Sequence, residues 1–124
     1  MSIEHHTKTK GDLAVLHAQV SLAEQGWLVC LPLTEHAPFD LLAYKDGEYR
    51  RVQVKHTRKR HGAIMARWSK YQGKIDTMCL FEPSSKMCFY VPALNSSTVT
   101  IRLEESKNNQ HQGVRPADEF LMLK

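Results

Sequence analysis

Asp40, Gln53 and Lys55 offer a carboxylate, an amide and an amine that one hairpin can bring together. Asp46-Gly47 is the dipeptide most favoured in a two-residue type I′ loop. With that pair as the loop, Lys45 faces Glu48, and the ladder counts down to Asp40 opposite Gln53. Side chains alternate along a strand, so Gln53 and Lys55 share a face, and Asp40 belongs to it from across the ladder. Opposed residues hold their Cβ atoms about 5 Å apart and diagonal ones about 7–8 Å. The three therefore form a compact polar cluster, with Phe39, Leu41, Val52 and Val54 expected on the reverse face.

Such a trio suits metal-assisted phosphodiester hydrolysis. A carboxylate oxygen binds a hard divalent cation. The cation polarises a phosphate and acidifies its bound water, while an amine neutralises charge developing on the phosphate or orients the water. A hairpin face turned to solvent carries the same residue types, so the neighbouring chain has to discriminate. Pro38-Phe39-Asp40 forms a turn that can hold a side chain rigidly where a strand begins. The densest positive run, His56-Thr57-Arg58-Lys59-Arg60-His61, follows Lys55 directly. Runs of this kind are usually solvated loops, yet beside such a cluster this one is equally suited to phosphate contact. Arg67-Trp68-Ser69-Lys70-Tyr71 interleaves cations with aromatics, although Trp68 and Tyr71 read first as packing residues.

Several elements must position this cluster. Thr9-Lys10-Gly11-Asp12 fits a capping box opening a helix that runs to about Gln25, with Gly26 as the C′ residue. That helix carries two apolar stripes: Leu13, Leu16, Val20 and Ala23 on one, Ala14, Ala18 and Leu22 on the other. Asp12, Val15 and Gln19 line a further edge. Trp27 to Leu33 reads as a buried strand, being almost continuously apolar. Ala63 to Arg67 suggests a strand, Ile75 to Phe81 and Met87 to Val91 a second hairpin, and Thr98 to Leu103 a last strand. Glu104 to Gly113 reads as a polar loop, and Pro116 as the start of a short terminal helix. The expected class is α/β or α+β, a mixed sheet flanked by helices.

Length and composition bound the rest. A chain of 124 residues is read as one domain, 1–124, with a modest core. Its 42% hydrophobic and 24% charged content is that of a globular protein, not a disordered one. A net charge of +4 favours an anionic partner without proving one. No apolar run approaches the roughly 20 residues that span a bilayer, and Met1 to Lys10 lacks a signal-peptide core. Cys30, Cys79 and Cys88 have no CxxC spacing and read as buried small hydrophobes in a reducing, cytoplasmic setting, free of disulfides.

Pro38-Phe39-Asp40 with Gln53-Val54-Lys55, Gln53 thirteen positions after Asp40, resembles the PD-(D/E)XK nuclease superfamily, with Gln in place of the second acid. Within it, Lys10-Gly11-Asp12-Leu13-Ala14, Gly26-Trp27, Pro32, Tyr71, Ile75-Asp76, Phe89-Tyr90-Val91-Pro92 and Lys107-Asn108-Asn109-Gln110 are similar to group I intron-associated homing endonucleases. The resemblance implies a restriction-endonuclease-like core, Mg²⁺-dependent cleavage of double-stranded DNA with Mn²⁺ able to substitute, and a homo-oligomer, dimer or tetramer. It makes Asp40 the metal ligand, Lys55 the catalytic lysine, Gln53 a neutral ligand in the acid's place, and the Val54 carbonyl a further ligand. Phosphate contacts are expected from Lys10, Arg58, Lys59, Arg60, Arg67 and Lys70. The family adds a Glu on the first helix, where this chain has Val15. Asp12 or Glu35 is an alternative second carboxylate, though Asp12 is more simply a capping residue. If neither serves, the chain is an inactive DNA-binding relative; a protein-binding role for the same sheet is the remaining alternative.

Overall fold

Ala14, Ala18 and Leu22, spaced four residues apart, are completely buried along the first helix, whereas Leu16 and Val20 are each 58% exposed. Of the two apolar stripes, the one with two alanines faces inward, because small side chains let the helix lie close on a sheet. The computed structural model describes residues 7–93, 98–104 and 114–124. The helix, α1, spans Thr7–Glu24. Thr9 lies inside it, so the capping box does not form. Its C-terminus is a Schellman motif: Gly26, at φ 89°, donates to Ala23 O at 3.0 Å and Trp27 donates to Leu22 O at 3.0 Å.

Among the described residues eight strands follow: β1 Leu28–Cys30, β2 Leu41–Lys45, β3 Glu48–His56, β4 Ala63–Arg67, β5 Thr77–Glu82, β6 Met87–Pro92, β7 Thr98–Arg102 and β8 Val114–Pro116. They form a five-stranded sheet in the order β1-β2-β3-β5-β6 and a three-stranded sheet in the order β4-β7-β8. The larger sheet is mixed, since β3 pairs with β5 in parallel and its other neighbours are antiparallel. Asp46 (φ 52°) and Gly47 (φ 82°) make the β2–β3 turn, and the ladder runs from Lys45↔Glu48 to Leu41↔Val52. Both turn residues need positive φ, which is why Asp-Gly sets this register.

Two hydrophobic clusters lie on opposite faces of the larger sheet. On one face α1 packs against Leu41, Ala43, Val52, Val54, Cys79 and Phe81. On the other, Met78, Leu80, Phe89 and Val91 meet Ile64, Ala66, Val99 and Ile101 of the small sheet. The plan is therefore helix, sheet, sheet, a mixed α+β fold. The second face is covered by strands where a helix was expected, and Pro116 ends β8 before a 3-10 turn, Ala117–Phe120, replaces the terminal helix. β1 is also shorter and less buried than its apolar sequence suggests. As the sheet edge it leaves Leu28 at 62% exposure, and Cys30 is exposed while Cys79 and Cys88 are buried thiols. The expected 104–113 loop lies outside the described residues, apart from its first residue.

Arg51 and Asp76 tie β3 to the start of β5. Arg51 Nε and Nη2 donate to the Asp76 carboxylate at 3.0 and 2.9 Å, and the Arg51 backbone N–H adds a bond of 2.7 Å. Asp76 N–H returns a bond to Arg51 O at 2.8 Å. The guanidinium holds the Asp76 carboxyl below its ordinary pKa. Partial exposure screens the pair, so Asp76→Ala is expected to cost only about 1 kcal/mol at pH 7. Because the folded pKa is the lower one, this contribution is present above the ordinary Asp pKa of about 4 and fades as pH falls through the folded value. Urea unfolding of both proteins at pH 7 and pH 2.5 should show the difference shrinking in acid.

Candidate active site

Asp40 stands one residue before β2, at the end of the bend that Pro38 begins. The ladder's next rung would pair it with Gln53. Its N–H donates to Val52 O at 3.0 Å, and its carboxylate Oδ2 accepts the Val54 N–H at 2.8 Å. The carboxylate thus occupies the place of a backbone carbonyl, and the chain's own sheet fixes its direction. In a strand, the N–H and C=O of one residue point to the same side. The Val54 carbonyl therefore opens into the gap beside Asp40, beyond the last rung of β2. Asp40 Oδ1 accepts no hydrogen bond among the described residues.

Gln53 and Lys55 project from the opposite face of β3 to Val52 and Val54. They lie in register with Met78 and Leu80 of β5, at the rim of the second cluster, and both are half-buried. Among the described residues no carboxylate lies within ion-pair distance of Lys55. Its ammonium sits 5.0 Å from the centroid of the Tyr71 ring. Phe39 also packs into the second cluster, not on the Leu41 face, because the bend at residues 38–40 interrupts strand alternation.

α1 reaches the same end of the sheet. It ends where β1 begins, and β1 runs antiparallel to β2, so the helix N-terminal half lies over the start of β2 and the end of β3. His17 stacks on Phe81 at 4.3 Å, and Phe81 is in register with His56. Val15, half-buried, packs against the first cluster. Asp12 and Glu35 are both exposed. No group of three or more His, Cys, Asp or Glu side chains assembles among the described residues.

The basic run divides. Arg58 and Arg60 join Arg67, His56 and His61 around a groove of about 580 Å³ that begins one residue beyond Lys55. Lys59 turns away to pair with Glu104 in a separate hollow that also contains Glu82. Burial pushes the Glu82 carboxyl up, but hydrogen bonds from Ser84 and Ser85 outweigh that and hold it below its ordinary pKa. Lys70 lies 5.2 Å from the Tyr71 ring, and Lys10 remains on α1, outside the residues lining the groove. Sequence reasoning did not connect Tyr71 to Lys55 or Asp76 to Arg51. The cation–aromatic alternation of residues 67–71 was the only local signal for the first pair.

A family model of PD-(D/E)XK endonucleases matches residues 5–123. The chain belongs to that family. The matched span contains the bend residue Asp40 and the β3 residues Gln53 and Lys55, which the sequence reading expects at the motif positions. Its fold is similar to that of the bacterial homing endonuclease I-Ssp6803I, at a TM-score of 0.69 and 22% identity, over 84% of this chain and 80% of that one. It is also matched to Hjc, a Holliday junction resolvase from Archaeoglobus fulgidus, at a TM-score of 0.48 and 15% identity, over 75% of this chain and 84% of that one. Comparison with curated proteins found no match. Among the described residues, no helix is long and apolar enough to cross a membrane.

The donors present suit a hard divalent ion. Asp40 Oδ1, the Val54 carbonyl and the Gln53 amide all offer hard oxygen donors, and Mg²⁺ is commonly held by one or two carboxylates, with water and phosphate completing its shell. One carboxylate is the lower limit of that pattern.

Proposed function

We propose that the chain is a site-specific endonuclease of the homing type, acting on double-stranded DNA with Mg²⁺ or Mn²⁺ and working as a homo-oligomer in the cytoplasm. The observation that carries this reading is the Asp40 carboxylate, locked onto the Val54 N–H of the strand that carries Gln53 and Lys55 and whose last residue, His56, lines the basic groove.

Asp40, Gln53 and the Val54 carbonyl would hold the ion. When bound, it supplies Lewis-acid polarisation of the phosphate and a lowered pKa for its water. Asp40 keeps Oδ1 available to the ion while its other oxygen is occupied by the Val54 N–H. Lys55, unpaired by any described carboxylate, gives its full charge to the phosphate as negative charge develops there. Arg58, Arg60 and Arg67 take the flanking phosphates, which fixes the duplex across the site.

Incubation of the purified protein with mixed duplex DNA tests this directly: discrete products are expected in Mg²⁺ or Mn²⁺ and none in EDTA. Val15 favours a second reading, a DNA-binding protein that keeps the fold without cleaving. Tight, salt-dependent binding with no nicking in either metal would establish it, and an absence of DNA affinity would remove both readings. Arg58→Ala, Arg60→Ala and Arg67→Ala are each expected to weaken duplex binding several-fold and to lower the log–log salt slope by about 0.9 per lost phosphate contact. Lys59→Ala, already engaged with Glu104, should change that slope much less in the same filter-binding series.

A further inference from the structure

We propose that Tyr71 is a positioning residue for Lys55, holding its ammonium against the ring face in line with the scissile phosphate. The inference rests on the nuclease reading. Lysine's four-carbon stem is flexible, and a lysine without a fixed partner loses much of its electrostatic value to motion. A carboxylate could serve as the anchor, but it would also cancel the charge that a phosphate needs. Here the partner is an aromatic ring. The Lys55 Nζ lies 5.0 Å from the Tyr71 centroid, within the range of cation–π attraction, and no described carboxylate pairs with it. The ring attracts the ammonium through its quadrupole and leaves the positive charge uncompensated.

The ring itself is well held. Tyr71 closes the 3-10 turn Ser69–Tyr71, packs against the second cluster, and donates its backbone N–H to Trp68 O at 2.8 Å. Lys74 N–H bonds Tyr71 O at 2.9 Å, securing the turn from the other side. Lys70 also approaches the ring, at 5.2 Å, but from an exposed position. Only Lys55 belongs to the motif strand, so the two cations have separable effects.

The test replaces Tyr71 with Phe, with Leu, and with phenylalanines carrying one to three ring fluorines, which progressively weaken the quadrupole at nearly constant shape. Single-turnover cleavage is measured in the faster of the wild type and Val15→Glu. DNA affinity in Ca²⁺, thermal stability and the Lys55 Hε chemical shifts are read alongside. Tyr71→Phe is expected to stay within about twofold of the parent, because it keeps the ring. Tyr71→Leu should slow cleavage about fivefold to tenfold, the rate equivalent of a contact worth about 1 to 1.4 kcal/mol. Affinity should be unchanged, and the upfield ring-current shift of Lys55 lost. The fluorinated series should fall stepwise in rate while melting temperature stays constant, and Lys70→Ala should not reproduce it. A rate independent of fluorination, or an equal loss in Tyr71→Phe, overturns the proposal while leaving the nuclease reading standing. A parent that cleaves no DNA removes the nuclease reading and this role together.

Discussion

Asp40→Ala is expected to reduce cleavage by at least about 10³-fold while leaving the protein folded. Asp40 is the carboxylate proposed to hold the ion, and the sheet fixes its direction through the 2.8 Å bond from Val54 N–H to Oδ2. Removing it takes away the only anionic ligand among the proposed donors, and a single well-placed electrostatic group at a reacting centre is worth about 10²–10³ in rate. Loss of metal affinity compounds that effect. The structural cost is smaller. Val54 N–H lies at the open end of the β2 ladder, so water can replace the lost acceptor, and a net cost of about 1 kcal/mol is expected. Asp40→Asn separates the two roles, because its amide oxygen can still accept the Val54 N–H. It should melt close to the wild type and remain as inactive as Asp40→Ala. Lys55→Ala should lose about 10²-fold or more with DNA affinity nearly retained. Cleavage assays in Mg²⁺ with parallel thermal melts decide these outcomes; an Asp40→Ala protein that cuts normally would move the metal ligand elsewhere.

Val15→Glu is expected to raise cleavage about 10- to 100-fold and to lower the Mg²⁺ concentration needed for half-maximal rate. Side chains on a helix lean toward its N-terminus, and the N-terminal half of α1 lies over the end of the sheet that carries Asp40. A carboxylate at position 15 would extend past the rim of the first cluster, against which Val15 packs, toward a site with a single acid. Two negative ligands in place of one suit a hard divalent ion better. The substitution trades partly buried apolar contact for a charge at the cluster edge, so a loss of about 1–2 kcal/mol in stability is expected without metal, recovered in part as Mg²⁺ binds the folded form. Urea melts with and without Mg²⁺ measure that recovery. An unchanged rate and an unchanged metal midpoint would mean that position 15 does not face the ion.

The features readable in the chain are those that local backbone chemistry dictates. Asp46-Gly47 demands two positive φ angles, and so sets the turn, the β2–β3 register and the placement of Asp40 one residue beyond the Leu41↔Val52 rung. Gly26 closes α1 because its left-handed conformation completes a Schellman motif within six residues of sequence. The family resemblance drew on residues spread from Lys10 to Gln110, and residues 5–123 match the family model. The start of α1 was less legible, since helical residues before Thr9 outweighed its preference for a cap.

Tertiary structure decided what faces what. Sequence offered two apolar stripes on α1, and only the presence of a sheet beneath selected Ala14, Ala18 and Leu22 for burial. The apolar run around Leu28 implied an interior strand, but the strand order made it an edge. Lys59 and Arg58 are adjacent in a single basic run, yet one pairs with Glu104 while the other lines the groove. The Arg51–Asp76 fork and the Lys55–Tyr71 contact join residues 25 and 16 positions apart, brought together by the parallel crossover from β3 to β5. Turns and caps are determined by the conformations a few residues can adopt, so sequence alone specified the hairpin and its register. Partners across a layer depend on chain paths that no short window contains, so only the folded molecule showed how Asp40 and Lys55 are held, and which apolar surface Val15 meets.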